Sequence, residues 1–301
     1  MNTKVPTQEI DIKNSFGIKL FIKREDLIHP HISGNKFRKL KYNLIEAREA
    51  GHKVLLSFGG AYSNHIAALS YSGKINGFKT IGIIRGDELS SEISTNATLQ
   101  FAQSNGMKLV FVSREDYRRK SDPDILNKLR NELGDFYVIP EGGTNSLAVK
   151  GCEEILNSED LNYDYICCSV GTGGTISGLI NSAQVHQKII GFPALKGSFL
   201  TKEIRKFAQR NNWELITDYH FGGYAKINQE LISFINNFRD VHNIPLDPIY
   251  TGKMMYGVVD LIRNGYFEEN SKIMAVHTGG LQGIAGMNKK LVKKNLPLID
   301  V

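Results

Sequence analysis

Three times along the chain, an apolar run leads into glycines and then into a helical pattern. The three segments read LLSFGGAYSNHIAAL, YICCSVGTGGTISGLI and AVHTGGLQG. A buried strand that turns directly into a helix is typical of parallel sheets flanked by helices. The carboxyl ends of parallel strands meet at one edge of a sheet, and ligands bind there in open α/β folds. The pattern therefore predicts an α/β protein whose ligand site lies at these corners.

Short β-rich runs alternate with helical patterns over almost the whole chain. We predict strands at residues 21–26, 53–58, 80–85, 108–113, 136–140, 165–170, 188–193 and 272–277. No linker or repeat marks a domain boundary, so the strand count has to place it. We expect a smaller α/β domain at residues 52–150, nested within a larger domain formed by residues 1–51 and 151–301.

Composition and charge exclude several classes of protein. Of the 301 residues, 41% are hydrophobic and 23% charged, and no apolar run approaches the ~20 residues that a membrane helix needs. The start of the chain, MNTKVPTQEIDIKN, lacks the apolar segment of a secretory signal, so we expect a cytoplasmic protein. The net charge of +6 is spread along helices without a nucleic-acid-binding motif. An anionic small molecule is the partner that this charge favours.

The clearest local signal is the corner GTGGT, residues 171–175, after the run YICCSV. Glycines allow close backbone approach, and the N-terminus of the following helix attracts an anion. Thr172 and Thr175 add hydroxyl donors, so we predict a phosphate site. A tight turn without a ligand is the alternative. The dinucleotide pattern GxGxxG would require glycine where this chain has Ile176, and no P-loop lysine follows.

The other two corners offer further polar side chains. Ser63, Asn64 and His65 stand at the start of a predicted helix, where open amides suit a carboxylate, although Ser63 or Asn64 could also serve only as the helix N-cap. His277 follows the last predicted strand and could act as a base. A packed, hydrogen-bonded histidine is the favoured interpretation.

Lys36 stands in the turn Ser-Gly-Asn-Lys, ahead of a helix rich in cations. A phosphorylated organic cofactor joined to this lysine would use all of these corners. Its amine would have to be neutral, which a desolvated site close to Arg38 and Lys39 would favour. A solvated helix lysine is the alternative. No metal-ligand cluster such as HExxH is present in the sequence.

Five segments occur in an order that identifies a resemblance: FIKREDLIHPHISGNKFRKL, GGAYSNH, GTGGTISGL, LDPIYTGKMMYG and HTGGLQG. The chain resembles the family of 1-aminocyclopropane-1-carboxylate (ACC) deaminase and D-cysteine desulfhydrase over nearly its full length. The resemblance implies pyridoxal 5'-phosphate as cofactor and a small amino acid as substrate. It also implies a homodimer and the tryptophan synthase β-like fold (fold type II), with two open three-layer α/β/α domains.

The resemblance also implies roles for individual residues. Lys36 matches the lysine that carries the cofactor and removes the substrate Cα proton, and Gly171, Thr172, Gly173, Gly174 and Thr175 match the phosphate loop. Asn64 matches the contact to the ring hydroxyl. Ser63 matches a serine near the substrate carboxylate, considered for proton transfer, and His65 lies beside it in the implied substrate pocket. Tyr224 and Tyr250 match two active-site tyrosines.

The residue after Tyr250 distinguishes the two activities of the family, because its side chain is expected to face the pyridine nitrogen. In this chain the residue is Thr251, whereas the resemblance implies glutamate at this position in the deaminases. A hydroxyl does not keep the nitrogen protonated, so Thr251 favours β-elimination from D-cysteine to pyruvate, ammonia and sulfide. An ACC deaminase that gives 2-oxobutyrate is the alternative. Tyr62 stands where relatives tend to carry glutamine, which leaves another β-substituted amino acid open. A non-catalytic binding protein is the hypothesis from another class.

Overall fold

A computed structural model describes residues 4–300. Its strands are β1 Thr7–Ile10, β2 Lys19–Lys23, β3 Val54–Gly59, β4 Lys79–Arg85, β5 Met107–Val112, β6 Tyr137–Ile139, β7 Tyr165–Val170, β8 Lys188–Pro193, β9 Trp213–Leu215 and β10 Lys272–Val276. Its helices are α1 Asn35–Glu49, α2 Asn64–Asn76, α3 Ala97–Ser104, α4 Arg114–Arg118, α5 Pro123–Leu133, α6 Ser146–Glu153, α7 Gly174–Ser182, α8 Phe199–Arg205, α9 Gln229–His242, α10 Thr251–Arg263 and α11 Gly283–Val292.

The larger sheet has six strands in the order β1-β2-β10-β7-β8-β9, and every pair is parallel except β1 with β2. Side chains of the central strand β7 alternate between two apolar cores. Tyr165 and Cys167 pack with α9, α10 and α11 on one face, whereas Ile166, Cys168 and Val170 pack with α7 and α8 on the other. A strand buried on both faces explains the unbroken apolar run YICCSV. This part of the molecule has three layers.

The smaller sheet has four parallel strands in the order β5-β4-β3-β6. Leu55 packs with α2 and α3 on one face of β3, and Leu56 and Phe58 pack towards α4 and α5 on the other. The two sheets and their covering helices confirm the predicted α/β class with mostly parallel sheets. The domain boundaries at residues 51/52 and 150/151 stay a prediction.

The predicted strands at 165–170 and 188–193 match β7 and β8 to the residue. The strand predicted at residues 21–26 begins earlier and ends at Lys23, because the next three residues turn to make ion pairs. Arg24 pairs with Asp26 at 2.8 Å, and Glu25 pairs with Arg38 of α1 at 2.8 Å. Sequence reasoning missed β1 and β9, two short strands at the edges of the sheet.

Helix α1 begins at Asn35, so Lys36 lies inside its first turn and not ahead of it. Gly34 makes this early start possible. Its φ is +63°, and a Cβ at this position would lie 1.9 Å from the carbonyl oxygen of Thr278. Only glycine fits such a close approach. The Lys36 turn is thereby pressed against the end of β10. In the described residues, 4–300, no helix has the length and hydropathy of a membrane span.

Candidate active site

A cavity of about 690 Å³ lies where the carboxyl ends of the two sheets meet. Residues that follow β3 and β6 line one side, and residues that follow β7 and β10 line the other. Lys36 and Lys39 of α1 also line it. The three glycine corners of the sequence therefore surround one cavity. This is the edge at which open parallel sheets bind ligands.

The corner after β7 forms one end of the cavity. Gly173 has a φ of +87°, and α7 begins at the next residue. Ser177 is the first residue whose backbone N–H donates to a carbonyl at the start of the helix, that of Gly173 at 3.0 Å. The N–H groups of Gly174, Thr175 and Ile176 therefore have no acceptor within the helix. Together with the positive end of the helix dipole, they form an anion site.

Lys39 closes this corner from the side of α1. Its Nζ lies 3.0 Å from Thr144 Oγ1, 3.2 Å from the Gly142 oxygen and 3.5 Å from Thr172 Oγ1. A Cβ on Gly174 would stand 3.2 Å from the same Nζ. The glycine thus leaves room beside the ammonium for a phosphate oxygen. A buried cation, hydroxyls and free N–H groups fit a phosphate dianion.

Two side-chain contacts hold the phosphate corner in shape. Asn35 Nδ2 donates to Thr175 Oγ1 at 2.8 Å, and the hydroxyls of Thr144 and Thr172 lie 2.5 Å apart. The structure therefore brings the predicted loop together with Thr144 and Lys39, to which the sequence had given no phosphate role. The GNK turn carried the signal for Lys39, because a residue three positions after Lys36 lies on the same helix face.

Lys36 lies beside this corner, with its Nζ 3.3 Å from the carbonyl oxygen of Gly142. Burial places the pKa of its amine well below the ordinary value, and the positive charge of Lys39 lowers it further. A lysine that loses its proton readily can act as a nucleophile and as a base. Arg38, the other cation invoked from the sequence, is instead paired with Glu25 at 2.8 Å and does not line the cavity.

The N-terminus of α2 forms a second polar corner. Ser63 is its N-cap, and its Oγ accepts from the N–H of Ile66 at 3.3 Å. Asn64 Nδ2 lies 2.8 Å from the position of a Cβ on Gly280, and Asn64 Oδ1 is buried without a hydrogen-bond partner in the described part of the chain. A buried acceptor without a partner suits a ligand donor. Ser63 thus fulfils the capping role, and its contact with a substrate stays a prediction.

His65 lies in the floor of the same corner and is 1% exposed. Ser57 Oγ donates to the Ile139 oxygen at 2.7 Å, so it accepts from His65 Nε2 at 2.8 Å. Burial, and then the charges of Lys36 and Lys39, lower the pKa of the ring well below its ordinary value. The imidazole is therefore neutral, and its Nδ1 is an acceptor without a partner within residues 4–300.

Two tyrosines line the same cavity as Lys36. The rings of Tyr224 and Tyr250 meet edge to face with their centroids 6.3 Å apart. A Cβ on Gly171 would lie 3.1 Å from Tyr250 Cε1, so the tyrosine packs directly on the phosphate loop. Burial raises the pKa of Tyr250 well above its ordinary value, and the neighbouring Tyr224 and Asp247 raise it further. Tyr250 is therefore a protonated phenol and a hydrogen-bond donor.

Thr251 is buried behind the cavity wall and is not among the residues that line it. Its hydroxyl donates to Asp247 Oδ2 at 2.7 Å and accepts from the Asp247 N–H at 2.9 Å. The same carboxylate accepts from the N–H groups of Ile249, Tyr250 and Thr251 and so caps α10. The expected contact between Thr251 and a ring nitrogen stays a prediction. Sequence reasoning missed Asp247, although DPIYTGK carries it three residues before Tyr250.

Cations gather at the mouth of the cavity. Lys120 pairs with Glu141 at 3.2 Å, and Glu141 also accepts from the Tyr117 hydroxyl at 2.6 Å. Arg85 stacks over Tyr117 at 5.7 Å, and its guanidinium lies 3.7 Å from the position of a Cβ on Gly60. Within residues 4–300, no carboxylate forms an ion pair with Arg85. The mouth therefore has a cation available for an anionic ligand.

His277, the possible base of the sequence analysis, has a structural role. His277 Nε2 donates to the Pro245 oxygen at 2.7 Å, and its Nδ1 accepts from the Gly279 N–H at 3.2 Å. Both nitrogens are thus engaged, which supports the packed histidine over a base. The three cysteines are buried and free, and burial raises the pKa of each thiol.

Known proteins resemble this chain over most of its length. A protein of Thermotoga maritima, provisionally named as an ACC deaminase, is 32% identical over 93% of this chain and 95% of its own length. The mitochondrial bifunctional D-cysteine desulfhydrase/ACC deaminase of Arabidopsis thaliana is 29% identical over 89% of this chain and 74% of its own. The crystal structure of an ACC deaminase homologue, 29% identical, superposes with a TM-score of 0.83 over 96% of this chain and 93% of that one.

The family model described as "Pyridoxal-phosphate dependent enzyme" matches residues 3–279. This range contains both sheets, Lys36, the phosphate corner and the two tyrosines, and the match favours an enzyme over a non-catalytic binding protein. The chain belongs to the family of pyridoxal-phosphate-dependent enzymes.

Proposed function

We propose that the protein is a pyridoxal-phosphate-dependent lyase that acts on D-cysteine or a similar small amino acid. The reaction converts D-cysteine and water into pyruvate, ammonia and hydrogen sulfide. The proton at Cα and the thiolate at Cβ are lost, and water replaces the amino nitrogen. The resemblance to relatives named for D-cysteine desulfhydrase and for ACC deaminase supports this class of substrate.

When bound, the cofactor would supply an electron sink for the bonds broken in the substrate. Lys39, Thr172 and the first turn of α7 hold its phosphate. Lys36, whose lowered pKa favours the free amine, is the attachment point and takes the Cα proton once it is released. The N-terminus of α2, with Ser63, binds the substrate carboxylate. Tyr250 remains protonated, so it can orient or protonate the leaving sulfur.

One observation carries the choice of elimination over cyclopropane opening. The Thr251 hydroxyl donates to Asp247 at 2.7 Å and therefore has no proton to offer a ring nitrogen. Opening a cyclopropane requires a strong electron sink, which a protonated pyridine provides. Elimination of thiolate requires less, because the leaving group departs as soon as the Cα proton is removed.

An ACC deaminase giving 2-oxobutyrate is the second candidate. The pair of protonated tyrosines in the cavity lining favours it, because a phenol could protonate the carbon released by ring opening. Tyr62 lines the cavity and comes within 2.4 Å of the position of a Cβ on Gly286. Its ring narrows the pocket towards α11, which supports a small substrate in either case.

The test is to incubate the cofactor-reconstituted protein separately with D-cysteine, L-cysteine and ACC, and to identify the 2-oxo acid released. Pyruvate from D-cysteine, with L-cysteine much slower, supports the lyase. Rapid 2-oxobutyrate from ACC identifies the deaminase and refutes the argument from Thr251. No 2-oxo acid from any of the three refutes both candidates.

We also propose that the enzyme is a cytoplasmic homodimer and that residues 52–150 form a domain of their own. The four-stranded sheet formed entirely by strands within this range supports the boundary. Light scattering on the purified protein gives the oligomeric state. Domain separation is tested by expressing residues 52–150 alone and measuring whether they unfold cooperatively.

A further inference from the structure

Lys253 is a buried lysine that the proposed reaction does not use. It lies in the first turn of α10, two residues after Thr251, and is 2% exposed. Its Nζ donates to the carbonyl oxygens of His220 and Gly223, each at 2.8 Å. Both carbonyls belong to the loop that carries Tyr224 to the mouth of the cavity.

The position of Lys253 is unfavourable for the ammonium itself. Within residues 4–300, no carboxylate lies at ion-pair distance from it, and burial lowers its pKa to about 8 although the charge of Asp247 acts in the opposite direction. A buried cation without an ion partner is costly, and an apolar side chain would fill the same space at less cost. The two hydrogen bonds to backbone carbonyls are therefore the interaction that explains a lysine at this position.

The loop that it holds has an unusual backbone. Gly222 and Gly223 have φ values of +90° and +114°, and the non-glycine residues Phe221 and Ala225 have φ values of +52° and +54°. Side chains at positive φ are strained and persist only where the surroundings hold them. Tyr224 lies between these residues, so its position depends on what fixes the loop.

The start of α10 thus controls both tyrosines. Asp247 accepts from the Tyr250 N–H at 2.9 Å. Lys253, three residues after Tyr250, donates to the loop that carries Tyr224. We propose that Lys253 is a positioning residue that sets Tyr224 against Tyr250. This inference rests on the proposed function in so far as the two tyrosines face the substrate.

A double-mutant cycle tests the inference. Lys253→Met should lower kcat/KM about 10- to 100-fold, the range that a small misplacement of a site group produces. The absorbance band and the Kd of the cofactor should stay unchanged. If Lys253 acts through Tyr224, Lys253→Met should have little further effect once Tyr224→Phe is present. Lys226→Met, at an exposed lysine of the same loop, is the matched control and should behave as wild type.

The proposal would be overturned if the fold-loss of kcat/KM in the double variant equalled the product of the losses in the two single variants. Wild-type activity of Lys253→Met would also overturn it. Lys253→Gln is the second variant, because its amide keeps donors for the carbonyls. Loss of the cofactor absorbance band in both Lys253→Met and Lys253→Gln would show that the lysine stabilises the fold as a whole. That result would also overturn the proposal.

A second readout does not depend on turnover. Chymotrypsin cleaves after Phe221 and Tyr224, and this cleavage should be faster in Lys253→Met than in wild type or Lys226→Met. Equal cleavage rates would contradict the proposal that Lys253 holds this loop. A wild-type protein that releases no 2-oxo acid would refute the proposed function while leaving this measurement interpretable.

Discussion

Replacement of Lys39 by Met should weaken cofactor binding while leaving the fold intact. Nζ of Lys39 contacts three oxygens at 3.0 to 3.5 Å around the space beside Gly174, where we expect the phosphate. A charged hydrogen bond of this kind contributes about 1.5 to 3 kcal/mol. Its loss therefore corresponds to a Kd about 10- to 150-fold higher. Met retains most of the volume, so the helix packing should not change.

The assay is a titration of the apoprotein with pyridoxal phosphate, followed by the absorbance of the bound cofactor. Lys41→Met is the matched control, because Lys41 lies on the same helix but pairs with Glu154 at 2.6 Å outside the cavity. Thermal unfolding of each apoprotein shows whether the fold is retained. An unchanged Kd in Lys39→Met, with the variant folded, would refute the placement of the phosphate beside Lys39.

Three further predictions follow from the site. Lys36→Met should stabilise the apoprotein at neutral pH, because burial lowers the pKa of Lys36 and the unfolded wild-type chain therefore binds more protons than the folded one. This gain in the free energy of unfolding should vanish above about pH 10.4, where the lysine of the unfolded chain is also neutral. Asp247→Asn should cost about 1 to 3 kcal/mol in denaturant unfolding, since an amide nitrogen would face a buried donor. Arg85→Gln should raise KM by at most about fivefold at low salt without changing kcat, and the effect should shrink at high salt. The first prediction would be contradicted if the difference in stability between Lys36→Met and wild type did not change with pH. The second would be contradicted if Asp247→Asn unfolded at the same denaturant concentration as wild type. The third would be contradicted if Arg114→Gln raised KM as much as Arg85→Gln does.

Much of the fold could be predicted because the decisive signals are local. The run YICCSV is apolar at every position, as a strand covered on both faces must be, and GTGGT marks the turn into α7. Strands β1 and β9 escaped prediction because they are short edge strands with few buried side chains. The end of β2 was predicted too late because the sequence KRED looks like a continuation of the strand. In the structure, Glu25 turns to pair with Arg38, and Arg24 pairs with Asp26.

The site was partly predictable for a related reason. Lys36 and the phosphate corner stand in short motifs, so their chemistry is visible in one stretch of sequence. Lys39 and Lys253 stand in or beside the same motifs but act through residues far away in the chain, and Asp247 acts on backbone N–H groups of its own turn. A motif contains such a residue but does not show the contact that gives it a role. Lys253 contacts a loop about thirty residues earlier through main-chain oxygens, and that pairing leaves no mark in side-chain identity.

The attachment of the cofactor to Lys36 is the central claim, and chemical trapping tests it most directly. The holoprotein is reduced with borohydride, which fixes the cofactor on its amine, and the labelled residue is located by peptide mass spectrometry. We predict the added mass on Lys36 and no label on the neighbouring Lys39, with Lys36→Met unlabelled. A label on Lys39 or on a lysine outside the cavity would contradict it.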